Sequence, residues 1–223
     1  MKLPLYETRL QWASAIFLAL IAGYLDGYGL LFLGTYVSFM SGNTTYAGLR
    51  TGQGNFPGAL PPAIAIVFFV AGSFMGNLFT QSRLRFSHRV IFGLIAGLLA
   101  TVVGLEQDGL RNALFQIAML SLSMGMMNPA LSKVGAEPVS LTFVTGTLSR
   151  IGGHLAAAVG RKPLPEGKKS PRDSHLSRAR IEAGIWSGFL AGAGLAGVVG
   201  SRFSSWALLP PCVVMIALSL FTE

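Results

Sequence analysis

The chain has 223 residues and a formal net charge of +8, yet only 12% of its residues are charged, about half the ~25% typical of soluble domains. Its 52% apolar residues gather into long blocks, which excludes an ordinary soluble globule. One cysteine excludes an internal disulfide, and a basic balance on such a chain reports membrane topology rather than nucleic-acid binding.

Arg9 and Trp12, a basic flank and an interfacial anchor, open a first span predicted over 11–34. Lys2 and Arg9 ahead of an apolar run imitate a signal peptide, but no A-x-A site closes the run and the hydrophobicity continues through Leu33. Asp26 lies roughly 21 Å beyond Trp12 along a helix, where a charge costs at least ~2.5 kcal/mol and turns toward the protein interior. It has five readings: a cation ligand, a proton carrier, a structural partner of Arg150, a neutral hydrogen-bonded group, or a group in the outer headgroup region. Next comes VSFMSGNTTYAGL, 37–49, where Ser41, Gly42, Asn43, Thr44 and Thr45 crowd small polar groups into an apolar stretch. The segment 38–50 is expected to be a short kinked or re-entrant helix.

Spans follow over 60–80, 90–105 and 112–132. Gly72 and Gly76 make a close-packing face, with Asn77 placed to hydrogen-bond across helices. Met124, Met126 and Met127 read as gap-filling core residues beside Asn128. A second short segment, 140–157, carries Thr145, Gly146 and Thr147, then Arg150 and His154 on one helical face. The basic, proline-broken stretch 161–178 reads as a linker held near anionic headgroups. Spans over 180–200 and 204–221 end the chain; Gly188, Gly192 and Ala196 continue the small-residue packing, and Glu182 reads as an interfacial charge.

The chain repeats itself. Ser41-Gly42-Asn43 pairs with Thr145-Gly146-Thr147, Phe69-Val70-Ala71-Gly72-Ser73 with Phe189-Leu190-Ala191-Gly192-Ala193, and Asp26 with Asn128. The expected fold is therefore all-α and polytopic, with about six transmembrane helices as a 3+3 inverted repeat over about 10–105 and 110–221. It forms a single membrane domain: 1–160 with spans 1–4 and both short segments, the linker 161–178, and 179–223 with spans 5–6. Three spans per half place nearly all Lys and Arg on one side, with Arg50, Arg111 and Arg202 on the other, so both termini are expected in the cytoplasm.

With GYLDGYGLLFLG, SFMSGNTTYAGL and FVTGTLSRIGGHLA, the chain resembles the YoaK-like family of bacterial integral membrane proteins, a family of unknown function. The resemblance covers nearly the whole chain. It rests on an acidic residue after a Gly in the first span, an M-[ST]-G-N-[ST] motif and a later [FY]-V-T-G-T motif. Asn128 matches the family's Asn, but Met127 and Pro129 replace its usual Gln and Ala neighbours. It implies a bacterial inner-membrane protein and no biochemistry.

Function rests on the residues. Discontinuous helices at membrane depth line water or lie inside protein, and inverted-repeat transporters aim half-helices at a substrate. The expected pathway for a small solute or ion joins Asp26, Ser41, Gly42, Asn43, Thr44, Asn128, Thr145, Gly146, Thr147 and Arg150, with the two motifs facing each other. The other reading is a non-transporting scaffold or accessory protein in which these groups lock the helices. No catalytic signature or metal-spaced Cys/His cluster occurs, so no enzyme, cofactor or metal is expected. His88 and His175 are placed in loops. The expected partners are the bilayer and a second copy of a thin six-helix bundle.

Overall fold

A computed structural model describes residues 5–82, 86–107, 109, 112–130, 133–134, 137–138, 142, 144–164, 174–203 and 206–221. Half of the expected linker, 165–173, lies outside the described residues, as do Lys2, Arg83, Arg85 and Arg111. The described elements are α1 (Leu5–Leu33), α2 (Met40–Gly52), α3 (Phe56–Gln81), α4 (Ser87–Gln107) and α5 (Ala113–Ala130). After them come β1 (Lys133–Val134), β2 (Glu137–Pro138), α6 (Val144–Val159), α7 (His175–Phe203) and α8 (Leu209–Phe221). The strands form a two-residue antiparallel ladder, and the other described elements are helices.

Local chemistry sets the helix ends. Asn55 caps α3 by accepting from Gly58 N at 3.0 Å, with Pro57 in the first turn, where its missing N–H costs nothing. Pro129 sits in the last turn of α5, and Pro210 and Pro211 in the first turn of α8. Ser174 and Ser177 cap each other reciprocally, at 2.9 and 3.1 Å, and start α7 at His175. That start lies inside the stretch expected to be linker.

Glycines bring the long helices into backbone contact. A Cβ on Gly23 (α1) would strike the Phe189 carbonyl of α7, and one on Gly192 (α7) the Leu20 carbonyl of α1. The same pairing recurs elsewhere: Gly125 (α5) abuts the Phe69 carbonyl of α3, and Gly72 (α3) the Leu122 carbonyl of α5. Further along, Gly27 meets Ala196, and Gly76 meets Pro129. Because lipid is as apolar as leucine, such close packing holds membrane helices together where burial alone would not. Both small-residue rows thus pack as expected.

Helix directions follow from these contacts. Residue numbers rise together along α1 and α7, and along α3 and α5, so each pair is parallel. Cys212 against Ala96 and Gly93 against Ser219 make α4 and α8 antiparallel. Tyr28, late in α1, donates to Glu106, late in α4, at 3.0 Å. Hence α1, α4 and α7 run one way, and α3, α5 and α8 the other. The core lies where α1 and α5 meet α4, with Leu25, Tyr28, Ile95, Leu99, Leu120 and Met124 buried.

Among the described residues, four helices are long and apolar enough to cross a membrane: Gln11–Leu33, Phe56–Gln81, Ser87–Gln107 and His175–Phe203. Of the other two expected spans, 112–132 holds the 18-residue α5 and 204–221 the 13-residue α8, which begins at Leu209. Trp12, expected at the interface, is half-buried and packs on the core. Asn77 bonds to Ser73 O of its own helix at 2.8 Å, correcting its expected cross-helix role. Met124, Met126 and Met127 are buried core residues.

Candidate functional site

Each of the paired motifs begins a short helix that starts inside the helical layer. After α1, Gly34 takes a φ of 65°, a left-handed turn that suits glycine. The chain then doubles back along α1: Thr35 N donates to Gly29 O at 3.3 Å, and a Cβ on Gly29 would lie 2.7 Å from Val37. Asp26 receives the returning strand. Its Oδ1 accepts from Val37 N at 2.9 Å and Ser38 N at 2.7 Å, and the residue is 5% exposed. Asp26 lies about 10 Å short of the end of α1, so α2 starts at that depth. Its 13 residues run about 20 Å back toward the same end before the turn into α3.

Asn43 is the buried residue of α2, and its Nδ2 donates to the Tyr36 carbonyl at 2.7 Å. Gly42 leaves room for the Phe39 ring. Thr44 and Thr45 donate to the Met40 and Ser41 carbonyls of their own helix, at 2.7 and 3.1 Å. Ser41, Thr44 and Thr45 stand on an exposed face. An open groove of about 340 Å³ crosses that face, lined by Phe39, Ser41, Gly42, Thr45, Tyr46 and Leu49.

Asn128 takes the corresponding place in α5. Its Nδ2 donates to Thr142 Oγ1 at 2.8 Å, while its Oδ1 is buried without a hydrogen-bond partner. In α6, Thr147 is 2% exposed, Thr145 exposed and Gly146 half-buried. Arg150 does not meet Asp26. Its Nε and Nη2 donate to Glu182 of α7 at 2.8 and 3.2 Å, and Nη2 lies 3.5 Å from Thr147 Oγ1. Glu182 is 1% exposed, so it is the buried half of an ion pair rather than the expected interfacial charge. One turn beyond Arg150, His154 Nδ1 lies 3.1 Å from Nδ1 of His175, which opens α7 instead of sitting in a loop.

The sequence-marked residues are thus gathered into two units. Asp26, Ser41, Gly42, Asn43 and Thr44 lie along the α1–α2 connection; Asn128, Thr145, Gly146, Thr147 and Arg150 lie along α5 and α6. α2 packs along α3 and α6 along α7, and the two short helices are not packed face to face as expected. Each carries an exposed row of small residues at equivalent positions: Ser41, Thr45, Gly48 and Gly52 on α2; Thr145, Ser149, Gly152 and Ala156 on α6. Glu182, Thr142 and His175 were missed as members of these units. The Ser174-x-x-Ser177 cap is the one sequence signal that would have brought His175 into a helix.

Apolar helices in close backbone contact, with broken segments between them, define a polytopic helical membrane protein. The family profile described as "Protein of unknown function (DUF1275)" matches residues 14–221, and the chain belongs to that family. It is similar to UPF0700 transmembrane protein RA0705 of Rhizobium meliloti (strain 1021), with 31% identity over 202 residues, covering 91% of this chain and 81% of the relative. No solved structure matches.

Proposed function

We infer that the chain is a small-solute or ion transporter or channel of the bacterial inner membrane. Its six spans, α1, α3, α4, α5, α7 and α8, form a 3+3 inverted repeat, with α2 and α6 as re-entrant half-helices. The recurring contacts support the repeat: Gly23 and Gly192 stand to each other's helices as Gly125 and Gly72 do. The helix directions support cytoplasmic termini, since Arg89, Arg161, Lys162, Arg178 and Arg180 fall at the end where α1 starts, and Arg50 and Arg202 at the other.

The observation that carries the transport reading is the exposed hydroxyl-and-glycine row on each half-helix, starting at the depth of Asp26 or Asn128. Hydroxyls and bare helix backbone at that depth suit a water-lined path or another protein surface better than lipid. Ser41, Thr45, Thr145 and Ser149 line the path; Asp26, Asn43, Asn128, Thr147 and Arg150 hold the half-helices. No catalytic role is assigned.

The test joins flux to accessibility. Proteoliposomes are loaded with a panel of ions and small metabolites under a pH gradient. Thr45→Cys and Ser149→Cys, in a Cys212→Ser background, are treated with a membrane-impermeant thiol reagent. Flux that this reagent blocks supports the reading. Absence of flux from folded protein, with both positions inert to the reagent, rejects it and leaves the non-transporting scaffold. One observation favours that scaffold: Asp26, Asn43, Asn128 and Thr147 are each hydrogen-bonded within their own unit.

A further inference from the structure

Outside the motif residues, one pair of side chains meets in a way that packing alone does not call for. His154, near the end of α6, and His175, the first residue of α7, approach with ring centroids 5.4 Å apart and planes tilted by 40°, so they do not stack. Their Nδ1 atoms instead lie 3.1 Å apart. Without a ligand, only one proton fits between them, donated by one ring and accepted by the other. His175 Nε2 is buried without a hydrogen-bond partner, which leaves Nδ1 as that ring's engaged nitrogen.

We propose that His154 and His175 form a binding site for one borderline divalent transition-metal ion, of the Zn2+ and Ni2+ class, clamping α6 to α7. Two ligand nitrogens 3.1 Å apart, each at the usual metal–imidazole distance of about 2.0–2.1 Å, subtend about 98° at the metal. That angle falls between octahedral and tetrahedral values. Imidazole nitrogen selects zinc, nickel and copper over magnesium and calcium, which take oxygen. Both ligands sit on helices, and the reciprocal Ser174–Ser177 cap fixes the start of α7 around His175, the kind of support that pre-forms a site. The nearest positive charge on α6, Arg150, is neutralised by Glu182. Water completes the coordination.

The test uses the full untagged chain in detergent after chelator treatment. Calorimetric titration with Zn2+ or Ni2+ is expected to saturate at one ion per chain in the micromolar range, with no response to Mg2+. His154→Gln and His175→Gln are each expected to weaken binding at least tenfold, whereas His88→Gln, at the remaining one of the 3 histidines, leaves it unchanged. Electron paramagnetic resonance of the Cu2+-loaded wild type, which needs no variant to fold, is expected to show two imidazole nitrogens. No saturable binding, binding unchanged in both Gln variants, or fewer than two imidazole nitrogens would overturn the proposal.

Discussion

Replacing Asp26 separates a latch from a solute ligand. Its Oδ1 is the acceptor for two buried backbone N–H groups, those of Val37 and Ser38. Asp26→Ala strands both, and a buried donor without an acceptor costs about 1–3 kcal/mol, so the loss sums to about 2–6 kcal/mol. Asp26→Asn keeps a carbonyl oxygen in the same place. Its new amide has the Ser38 hydroxyl to donate to, as Asn128 has Thr142, so its cost should stay below about 2 kcal/mol. Unfolding of the purified protein in a denaturing-detergent series measures both, and flux in liposomes measures the consequence. On the latch account, Asn retains the fold and most of any flux, whereas Ala loses both. Equal destabilisation by Asn and Ala, or a stable Asn variant with flux abolished, would refute it and make the ionisable carboxyl group itself functional.

Other substitutions probe the remaining contacts. Gly192→Val drives a side chain into the Leu20 carbonyl and should prevent α7 from seating on α1. Gly194→Ala, which meets nothing within 4 Å, should be neutral or gain up to about 1 kcal/mol of helix propensity; expression and gel-filtration profiles separate the two. Glu182→Gln takes the carboxylate from an Arg150 that is itself 29% exposed, so it should cost about 1–3 kcal/mol, part of it recovered in Arg150→Met/Glu182→Met. A double-mutant cycle on thermal unfolding reads this. Gly34→Ala forces a Cβ into a left-handed turn and should cost about 1–2 kcal/mol, with little effect on the distant α6–α7 seam, as proteolysis there would show.

The helices and their packing faces could be read from periodicity, because apolar length and glycine spacing are local properties of a membrane helix. Gly72-x-x-x-Gly76 and Gly188-x-x-x-Gly192 announced their packing faces, and Asp26 was legible as inward-facing from its depth alone. Its partners were not legible. They are backbone groups of a strand that returns along α1, and no side-chain pattern marks a backbone donor. Arg150 went to the wrong acid for a related reason. Glu182 looked interfacial from its place in the chain, but its burial depends on how α6 lies along α7. The motifs were expected to face each other on the strength of their similarity; packing contacts instead place each against the next helix in its own half.

The crosswise glycine contacts also bear on how the chain is made. Gly23 fits against the carbonyl of Phe189, about 170 residues later, so at the usual synthesis rate α1 waits about 8–35 s for its closest neighbour. During that interval its glycine face lies in the bilayer or insertion machinery without α7 to cover it, although Asp26 meets Val37 and Ser38 as soon as the chain turns back. α3 waits less, since α5 follows after one intervening span. The early helices therefore need a holding environment during translation, and stop codons or pauses between α5 and α7 should yield degraded rather than stable fragments.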